Sequence, residues 1–284
     1  MGPGIDLMRT RTLLLAGVIA VGAAATVLAQ GEPPTVGVTS NGKAVTLSGA
    51  EGLAPGPVRF ELRGSARRPR TFTILRLKPG VTQAEALAAL PRIARRGDFR
   101  PLRRYVVLEA GGDASSTKPY VTTVDLEPGS YLAGDTTGMN ARKYVFEPFT
   151  VGGEPSTAVK PAPDATVGMV DYGYQVKGTL PRSGTLRFEN RGRQFHFTLS
   201  GPLRRGASAR EVKRLLRDPD FNPAKLPVTD LDQPVGLVSP GTANDVEYRF
   251  PRAGRYLFVC FYGDSGSRGQ PHSRLGMSRI VRVR

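Results

Sequence analysis

The side chains best suited to chemistry are few, and most of them fall in one C-terminal stretch. Residues 256–277 contain the only cysteine, Cys260, one of the two histidines, His272, and Met277 five residues later. The other histidine, His196, lies far upstream in the strand-like segment QFHFTL. A thiolate, two imidazoles and a weak thioether form the ligand set of a mononuclear blue-copper site. These four residues are therefore the candidate metal ligands.

The N-terminal sequence is typical of a targeting segment. Basic residues around Arg9 and Arg11 precede an apolar run over residues 13–28, and Val27-Leu28-Ala29 is a plausible cleavage site. We therefore expect residues 1–29 to be a signal peptide, and the protein to be secreted or held in the periplasm or cell envelope of a bacterium. The alternative is an uncleaved membrane anchor, because the run approaches spanning length.

Export gives the single cysteine more weight. Exported proteins usually carry cysteines in pairs, so an unpaired one suggests a functional thiol or an intermolecular disulfide. The alternative is a buried, inert Cys260 that packs as a small apolar residue.

The charge of the chain suggests an acidic partner. The formal net charge is +16, and the basic residues are scattered along the whole sequence. No nucleic-acid motif accompanies them, so we expect no specific nucleic-acid partner. We expect instead an acidic redox partner protein or an anionic cell-envelope polymer, and membrane contact only through an uncleaved signal segment.

An internal repeat organises the chain. GPVRFELRG (56–64) recurs as GTLRFENRG (184–192), and VDLEPGSYLAGD (124–135) recurs as YRFPRAGRYLFVC (248–260). A Pro- and Gly-containing segment lies between the copies. The sequence predicts a first domain over 30–150, a linker over 151–165 and a second domain over 166–284.

Each copy predicts a mainly β fold with one helix. Apolar residues alternate in Val58-Arg59-Phe60 and Leu186-Arg187-Phe188, as expected for strands. Phe195, Phe197 and Leu199 would place one face of their strand in the core and turn His196 to the other. The capping boxes at residues 82–85 and 208–211 each predict one helix start. We expect two tandem β-sandwiches, each with one short inserted helix.

The second copy resembles a cupredoxin of the plastocyanin and azurin type. Asn190 precedes His196 at the start of a mid-chain strand, and Cys260, His272 and Met277 follow in order near the C-terminus. The resemblance implies a cupredoxin-like sandwich with one copper ion bound by His196, Cys260, His272 and Met277. It extends to the first copy only as a fold.

The first copy lacks these ligands. Aligning the copies puts Thr71 where His196 stands and Asp135 where Cys260 stands. The first domain is therefore expected to be a degenerate, metal-free copy. The copper ion would belong to the second domain alone.

One departure concerns the loop before His272. Eleven residues separate Cys260 from His272, where compact cupredoxins have only a few. Either this glycine-rich insert bulges outward and returns His272 to the site, or it holds the imidazole too far away. With His272 at the site, we expect this imidazole to be the exposed port for electrons.

Two functions follow from these patterns. The first is an exported copper protein with a type 1 site for electron transfer or copper holding. The alternative is a metal-free, cupredoxin-like envelope module that binds anionic cell-surface material or a protein partner. We do not expect an enzyme, because hydrolase and phosphate-binding motifs are missing and a multicopper oxidase needs more than two histidines.

Overall fold

The structure, a computed structural model, describes residues 31–138 and 140–284. The predicted signal peptide lies outside these residues. No helix within the described ranges is long and apolar enough to span a bilayer.

Within residues 31–138 and 140–151, the first copy forms eight strands and one helix. They are β1 Thr35–Ser40, β2 Val45–Ser48, β3 Gly56–Gly64, β4 Arg70–Leu77, α1 Gln83–Arg96, β5 Val106–Ala114, β6 Tyr120–Leu126, β7 Gly129–Asp135 and β8 Val145–Val151. A 3₁₀ turn over Arg100–Arg104 follows α1, and another spans Ala141–Lys143.

The second copy repeats this order and adds a one-turn helix near its end. Its elements are β9 Ala165–Val170, β10 Gly173–Val176, β11 Ser183–Asn190, β12 His196–Pro202, α2 Ala209–Arg217, β13 Asp232–Val238, β14 Ala243–Arg249, β15 Gly254–Val259, α3 His272–Leu275 and β16 Ser278–Val283. Short 3₁₀ turns lie at Pro223–Lys225 and Ser265–Ser267. The predicted mainly β fold of two tandem copies with an inserted helix in each is confirmed, and α3 is an additional helix of the second copy.

Equivalent local contacts recur in the two copies. Thr82 and Ser208 each accept from the backbone at the third helical position, and the glutamate there returns a bond to the cap, which completes both predicted capping boxes. The hydroxyl of Tyr131 donates to the carbonyl of Glu127, and that of Tyr256 donates to the carbonyl of Arg252, each at 2.7 Å.

The copies are joined through a continuous sheet. Eight strands run in the order β10-β9-β11-β14-β6-β3-β1-β2, and the β14–β6 pair links the second copy to the first. Two four-stranded sheets, β13-β12-β15-β16 and β5-β4-β7-β8, cover it, with the apolar core between the layers. The predicted domain boundaries stay a prediction.

The two covering sheets also meet at their edges. Ser239 donates its backbone N–H to the carbonyl of Leu108 at 3.0 Å, and the Ser239 hydroxyl accepts from the Leu108 N–H at 2.9 Å. Beside them, a Cβ on Gly236 would come within 2.8 Å of the backbone carbon of Gly111. Only glycine therefore fits at this crossing.

The orientation of β12 corrects one expectation. Over residues 196–200 the buried side chains are those of His196, Thr198 and Ser200, whereas Phe197 and Leu199 are only half-buried. The sandwich interior thus lies on the polar side of this strand. Leu199 packs on the outer side against the apolar face of α2, whereas the partly buried Phe197 contacts the main core cluster.

The close approach at Gly236 yields a stability prediction. Replacing Gly236 with alanine should lower the free energy of unfolding by about 1–3 kcal/mol, because the added methyl meets backbone that cannot move aside. Urea unfolding measures the change. Gly152→Ala is the matched control, because nothing lies within 4 Å of its added Cβ. Equal midpoints for the two variants would show that the edges do not pack as described.

Candidate metal centre

A braced turn delivers His196 to the start of β12. The side-chain amide of Asn190 donates to the carbonyls of Gln194 (2.8 Å) and Val238 (3.1 Å), and its oxygen accepts from the N–H of Gly192 (3.0 Å). These bonds tie the turn to the neighbouring strand. Asn190, one of the residues on which the resemblance to cupredoxins rests, thus fixes the position of His196 at the start of β12.

The long insert after Cys260 is a closed loop. The backbone N–H of His272 donates to the carbonyl of Tyr262 at 2.6 Å, so the chain returns to the point where it left. Inside the loop, the buried Asp264 carboxylate accepts from the N–H groups of Gly266 (2.7 Å) and Ser267 (3.1 Å). The extra residues therefore bulge outward without displacing His272.

Three of the four predicted ligands converge in the interior. His196, Cys260 and His272 each offer one donor atom, and these atoms all lie within 4.8 Å of one another. The two Nδ1 atoms are 3.1 Å apart, and the Cys260 sulfur lies 3.8 Å from Nδ1 of His272. All three side chains are fully buried.

Met277 lies beside this cluster through its backbone. Its N–H donates to the carbonyl of His272 at 2.8 Å, and its carbonyl accepts from the N–H of Cys260 at 3.2 Å. Its side chain is fully buried in the same apolar cluster as Cys260. The turn formed by α3 thus brings the backbone of Met277 next to those of Cys260 and His272.

Both imidazoles are fixed by hydrogen bonds at Nε2, the nitrogen that faces away from the cluster. Nε2 of His196 faces Oδ1 of Asp171 at 3.1 Å, and Nε2 of His272 faces Oε1 of Gln194 at 2.8 Å. A carboxylate can only accept, so the hydrogen-bond network assigns the proton of His196 to Nε2. With the Gln194 amide oriented so that Oε1 faces His272 and its NH₂ group faces Tyr172, the proton of His272 is also assigned to Nε2. Both Nδ1 lone pairs then point toward each other and toward the sulfur.

This arrangement fits one metal ion. Metal–nitrogen and metal–sulfur bonds in His/Cys sites are about 2.0 and 2.3 Å long, so donors that share an ion lie less than about 4.3 Å apart. The His196–His272 and His272–Cys260 separations of 3.1 Å and 3.8 Å satisfy this limit, and the donor atoms of His196 and Cys260 lie within 4.8 Å of each other. Two facing lone pairs repel unless a cation lies between them. With one sulfur and two imidazole nitrogens, the site fits a single copper ion.

Burial shapes the ionisation of these groups in the metal-free protein. Loss of hydration raises the pKa of the Cys260 thiol to about 12, although the N–H groups of Phe197 and Tyr262 act in the opposite direction. Burial, reinforced by the neighbouring His272, lowers the pKa of His196 to about 4. Burial also lowers the pKa of His272. The imidazoles are therefore neutral, as metal ligands must be.

The expectation of an exposed His272 is wrong. Its side chain is fully buried, its ring lies edge-on to those of Tyr172 and Tyr262 at 5.2 Å each, and its outer nitrogen is capped by Gln194. The eleven-residue insert and the β9–β10 turn together cover it.

The first copy fills the equivalent place with an ion pair. The strand registers set Phe72 opposite Asp135 and Leu199 opposite Val259, so the residue equivalent to His196 is Arg70, which corrects the alignment with Thr71. Arg70 is paired with the buried Asp135, which stands where Cys260 does. The first copy thus carries no metal ligands at these positions.

Sequence reasoning missed the residues behind the imidazoles. Asp171 and Tyr172 form the two-residue turn between β9 and β10, and Gln194 precedes His196 by two positions. The Asp-Tyr-Gly sequence is a recognisable turn signal between two strands. Its closeness to both histidines depends on tertiary structure, which a local sequence pattern does not predict.

Comparisons with known proteins concern the fold. No protein-family model matches the chain, and no curated protein matches it. Auracyanin A, a "blue" copper protein from the green thermophilic photosynthetic bacterium Chloroflexus aurantiacus, is 16% identical, with a TM-score of 0.31 over 42% of this chain and 99% of its own. The solved structures to which this chain is similar thus include a blue copper protein of the kind that the sequence resembles.

Two further solved structures span most of the chain. A Cu-containing nitrite reductase from Thermus scotoductus SA-01 is 11% identical over 89% of this chain and 68% of its own, with a TM-score of 0.24. A multicopper oxidase is 12% identical over 88% of each chain, also with a TM-score of 0.24. These proteins are enzymes, which corrects the expectation that the chain is not an enzyme. At such identities the similarity extends to the fold alone.

The buried histidines predict a pH dependence of the metal-free protein. An unfolded histidine titrates near 6.5 and folded His196 near 4, so the unfolded chain binds the extra proton between these values. Stability from this group is complete above about pH 6.5 and is lost as the pH falls toward 4, by up to about 3 kcal/mol. His272 acts in the same direction.

Urea unfolding of the metal-free protein between pH 7.5 and 4.5 measures this loss. His196→Gln is the control variant, and its stability should depend less on pH across the same window because the shifted group is gone. Parallel pH profiles for the two proteins would contradict the assigned burial of the imidazole.

Proposed function

We propose that the chain is an exported protein that binds one copper ion in a type 1 site and uses it to transfer single electrons or to hold copper. His196, Cys260 and His272 would be the strong ligands and Met277 the weak axial one. Export is inferred from the signal-like sequence of residues 1–29.

One observation carries this proposal. The Nδ1 atoms of His196 and His272 face each other at 3.1 Å beside a buried thiol, while both Nε2 atoms already have acceptors. Two lone pairs that face each other away from water destabilise a site whose only role is packing. The arrangement is relieved by a cation that accepts from both nitrogens and from the thiolate.

The roles of the chain follow from this geometry. Copper held by a thiolate, two imidazoles and a thioether supplies one-electron chemistry. The N–H groups of Phe197 and Tyr262 stabilise the Cys260 thiolate, and the thiol loses its proton when the metal binds. The β-sheet beneath His196 and the closed loop before His272 keep the donors in place, so little rearrangement accompanies a change of charge.

Copper titration tests the proposal. Adding Cu(II) to the reduced-thiol protein should give an intense thiolate-to-copper absorption band that saturates at one equivalent. Cys260→Ser should lose the band, because it removes the sulfur, and Met277→Leu should keep it with altered intensity, because only the weak ligand is lost. Met169→Leu is the matched control at another buried methionine.

Two results would contradict the proposed copper site, and a third would restrict its function to copper holding. If a protein with an intact thiol binds no stoichiometric copper and gives no colour, the copper site does not exist. A band that survives Cys260→Ser would move the site elsewhere. Stoichiometric binding of Cu(I) without a stable Cu(II) form would leave copper holding as the function.

The partner is proposed to be an acidic redox protein that docks beside α3. Four exposed cations lie on α2, and no carboxylate lies within 4.0 Å of any of them among residues 31–138 and 140–284: Arg210, Lys213, Arg214 and Arg217. We call this set the α2 basic face. The helix packs against α3, which carries His272 and the exposed Leu275, so an acidic surface bound here would lie next to the site.

Charge reversal on the α2 basic face tests the docking proposal. In Lys213→Glu/Arg214→Glu/Arg217→Glu, reduced copper protein should be oxidised more slowly by ferricyanide and faster by a cationic cobalt(III) phenanthroline complex, with the ferricyanide effect shrinking at high salt. The control reverses Arg249, Arg252 and Arg284 around the opposite end of β15 and β16. Equal effects of the two triple variants would show that net charge, not this face, guides the approach.

A further inference from the structure

The turn between β9 and β10 touches both candidate histidine ligands. Val170 pairs with Gly173, which leaves Asp171 and Tyr172 as a two-residue connection. Asp171 contacts His196 directly, and Tyr172 reaches His272 through Gln194. Nothing in the proposed ligand set requires these two residues.

Asp171 is held in place on three sides. Its carboxylate accepts from the N–H groups of Arg193 at 2.9 Å and Gln194 at 3.2 Å, and it receives the His196 Nε2–H at 3.1 Å. A Cβ on Gly192 would come within 2.4 Å of Oδ1 and 2.7 Å of the His196 Nε2. The absent side chain at Gly192 therefore leaves just enough room for this contact.

Tyr172 acts on the second imidazole. Its hydroxyl accepts from Nε2 of Gln194 at 2.8 Å, which orients the Gln194 carbonyl toward His272 at 2.8 Å. The Tyr172 ring also meets the imidazole edge at 5.2 Å. Its backbone has a φ of 65°, a conformation uncommon for residues other than glycine. The turn thus holds a strained residue at the point where it covers His272.

We propose that the Asp171–Tyr172 turn positions both histidines for the metal, and that the negative charge of Asp171 favours the more highly charged, oxidised form of the site. This inference rests on the proposed copper function. Asp171 and Tyr172 touch no metal, so both are positioning residues that act through imidazoles.

The charge effect follows from elementary electrostatics. Reduction brings one electron from an external donor and lowers the positive charge of the site by one unit, without making or breaking a bond in the protein. A carboxylate hydrogen-bonded to the far nitrogen of a ligand attracts the oxidised form more strongly, and it makes the imidazole a better donor. The Asp171 side chain is 29% exposed, so water reduces this attraction but does not remove it.

Asp171→Asn separates charge from position. The variant keeps an oxygen that can accept from His196, so it should still bind one copper and keep its absorption band. Its preference for Cu(II) over Cu(I) should fall about tenfold, which raises the reduction potential by about 59 mV for a one-electron couple. Asp220→Asn, an exposed aspartate, is the control for the change in net charge.

Two further variants test position. Asp171→Ala should weaken copper binding about 10–100-fold, because His196 loses the acceptor that fixes its orientation. Tyr172→Phe should weaken it in the same direction, because Gln194 is no longer held over His272. Competition with a chelator of known affinity measures both, and the Asp220→Asn variant should match the parent protein.

A measurement without copper keeps the outcomes separable. Nitrogen-15 NMR of the metal-free protein should find the His196 proton on Nε2, and Asp171→Ala should shift it toward a mixture of the two nitrogens. A parent protein without a copper band would overturn the proposed function. A copper-loaded Asp171→Asn variant with the potential of Asp220→Asn would overturn the charge effect. Parent-like affinities of Asp171→Ala and Tyr172→Phe, or an unchanged His196 tautomer in Asp171→Ala, would overturn the positioning role.

Discussion

The centre depends on one constraint: two buried imidazoles present their unprotonated nitrogens to each other. The Nδ1 atoms of His196 and His272 are 3.1 Å apart because each ring is fixed from its other nitrogen. Burial, reinforced by the neighbouring His272, lowers the pKa of His196 to about 4. Two neutral imidazoles that face each other away from water repel through their lone pairs. A cation between them would remove this repulsion by accepting both lone pairs.

The two copies show how one fold can satisfy the same interior position in two ways. In the first copy, the partly exposed Arg70 forms an ion pair with the buried Asp135, whose carboxylate also accepts from Ser40 and Thr137. In the second copy, His196 and Cys260 take the equivalent places. The ion pair neutralises itself within the protein, whereas the histidine and cysteine donors are neutralised only by protons or by a metal. The contrast explains why, of the two equivalent positions in the described part of the chain, only that of the second copy gathers metal donors.

Local sequence patterns predicted the parts of the centre that depend on strand order. The repeat and the capping boxes at Thr82 and Ser208 established tandem sandwiches with one helix each, and the order of His196, Cys260 and His272 placed three donors at one end. The patterns could not predict Asp171 or the burial of His272, because both depend on how distant turns meet. They also misassigned the inner face of β12, since alternation alone does not say which side the second sheet covers.

The first copy also braces the loop on which the centre depends. The insert between Cys260 and His272 would be costly to order if it were free in solvent. It packs instead on the segment after α1: Ser265 bonds to Asp98, and the ring of Tyr262 lies 6.5 Å from that of Phe99. Nearby, the Arg103 guanidinium lies 4.8 Å above the Phe195 ring, one residue before His196. A copy without ligands thus has a physical role at the site, because it supports both chain segments that present the imidazoles.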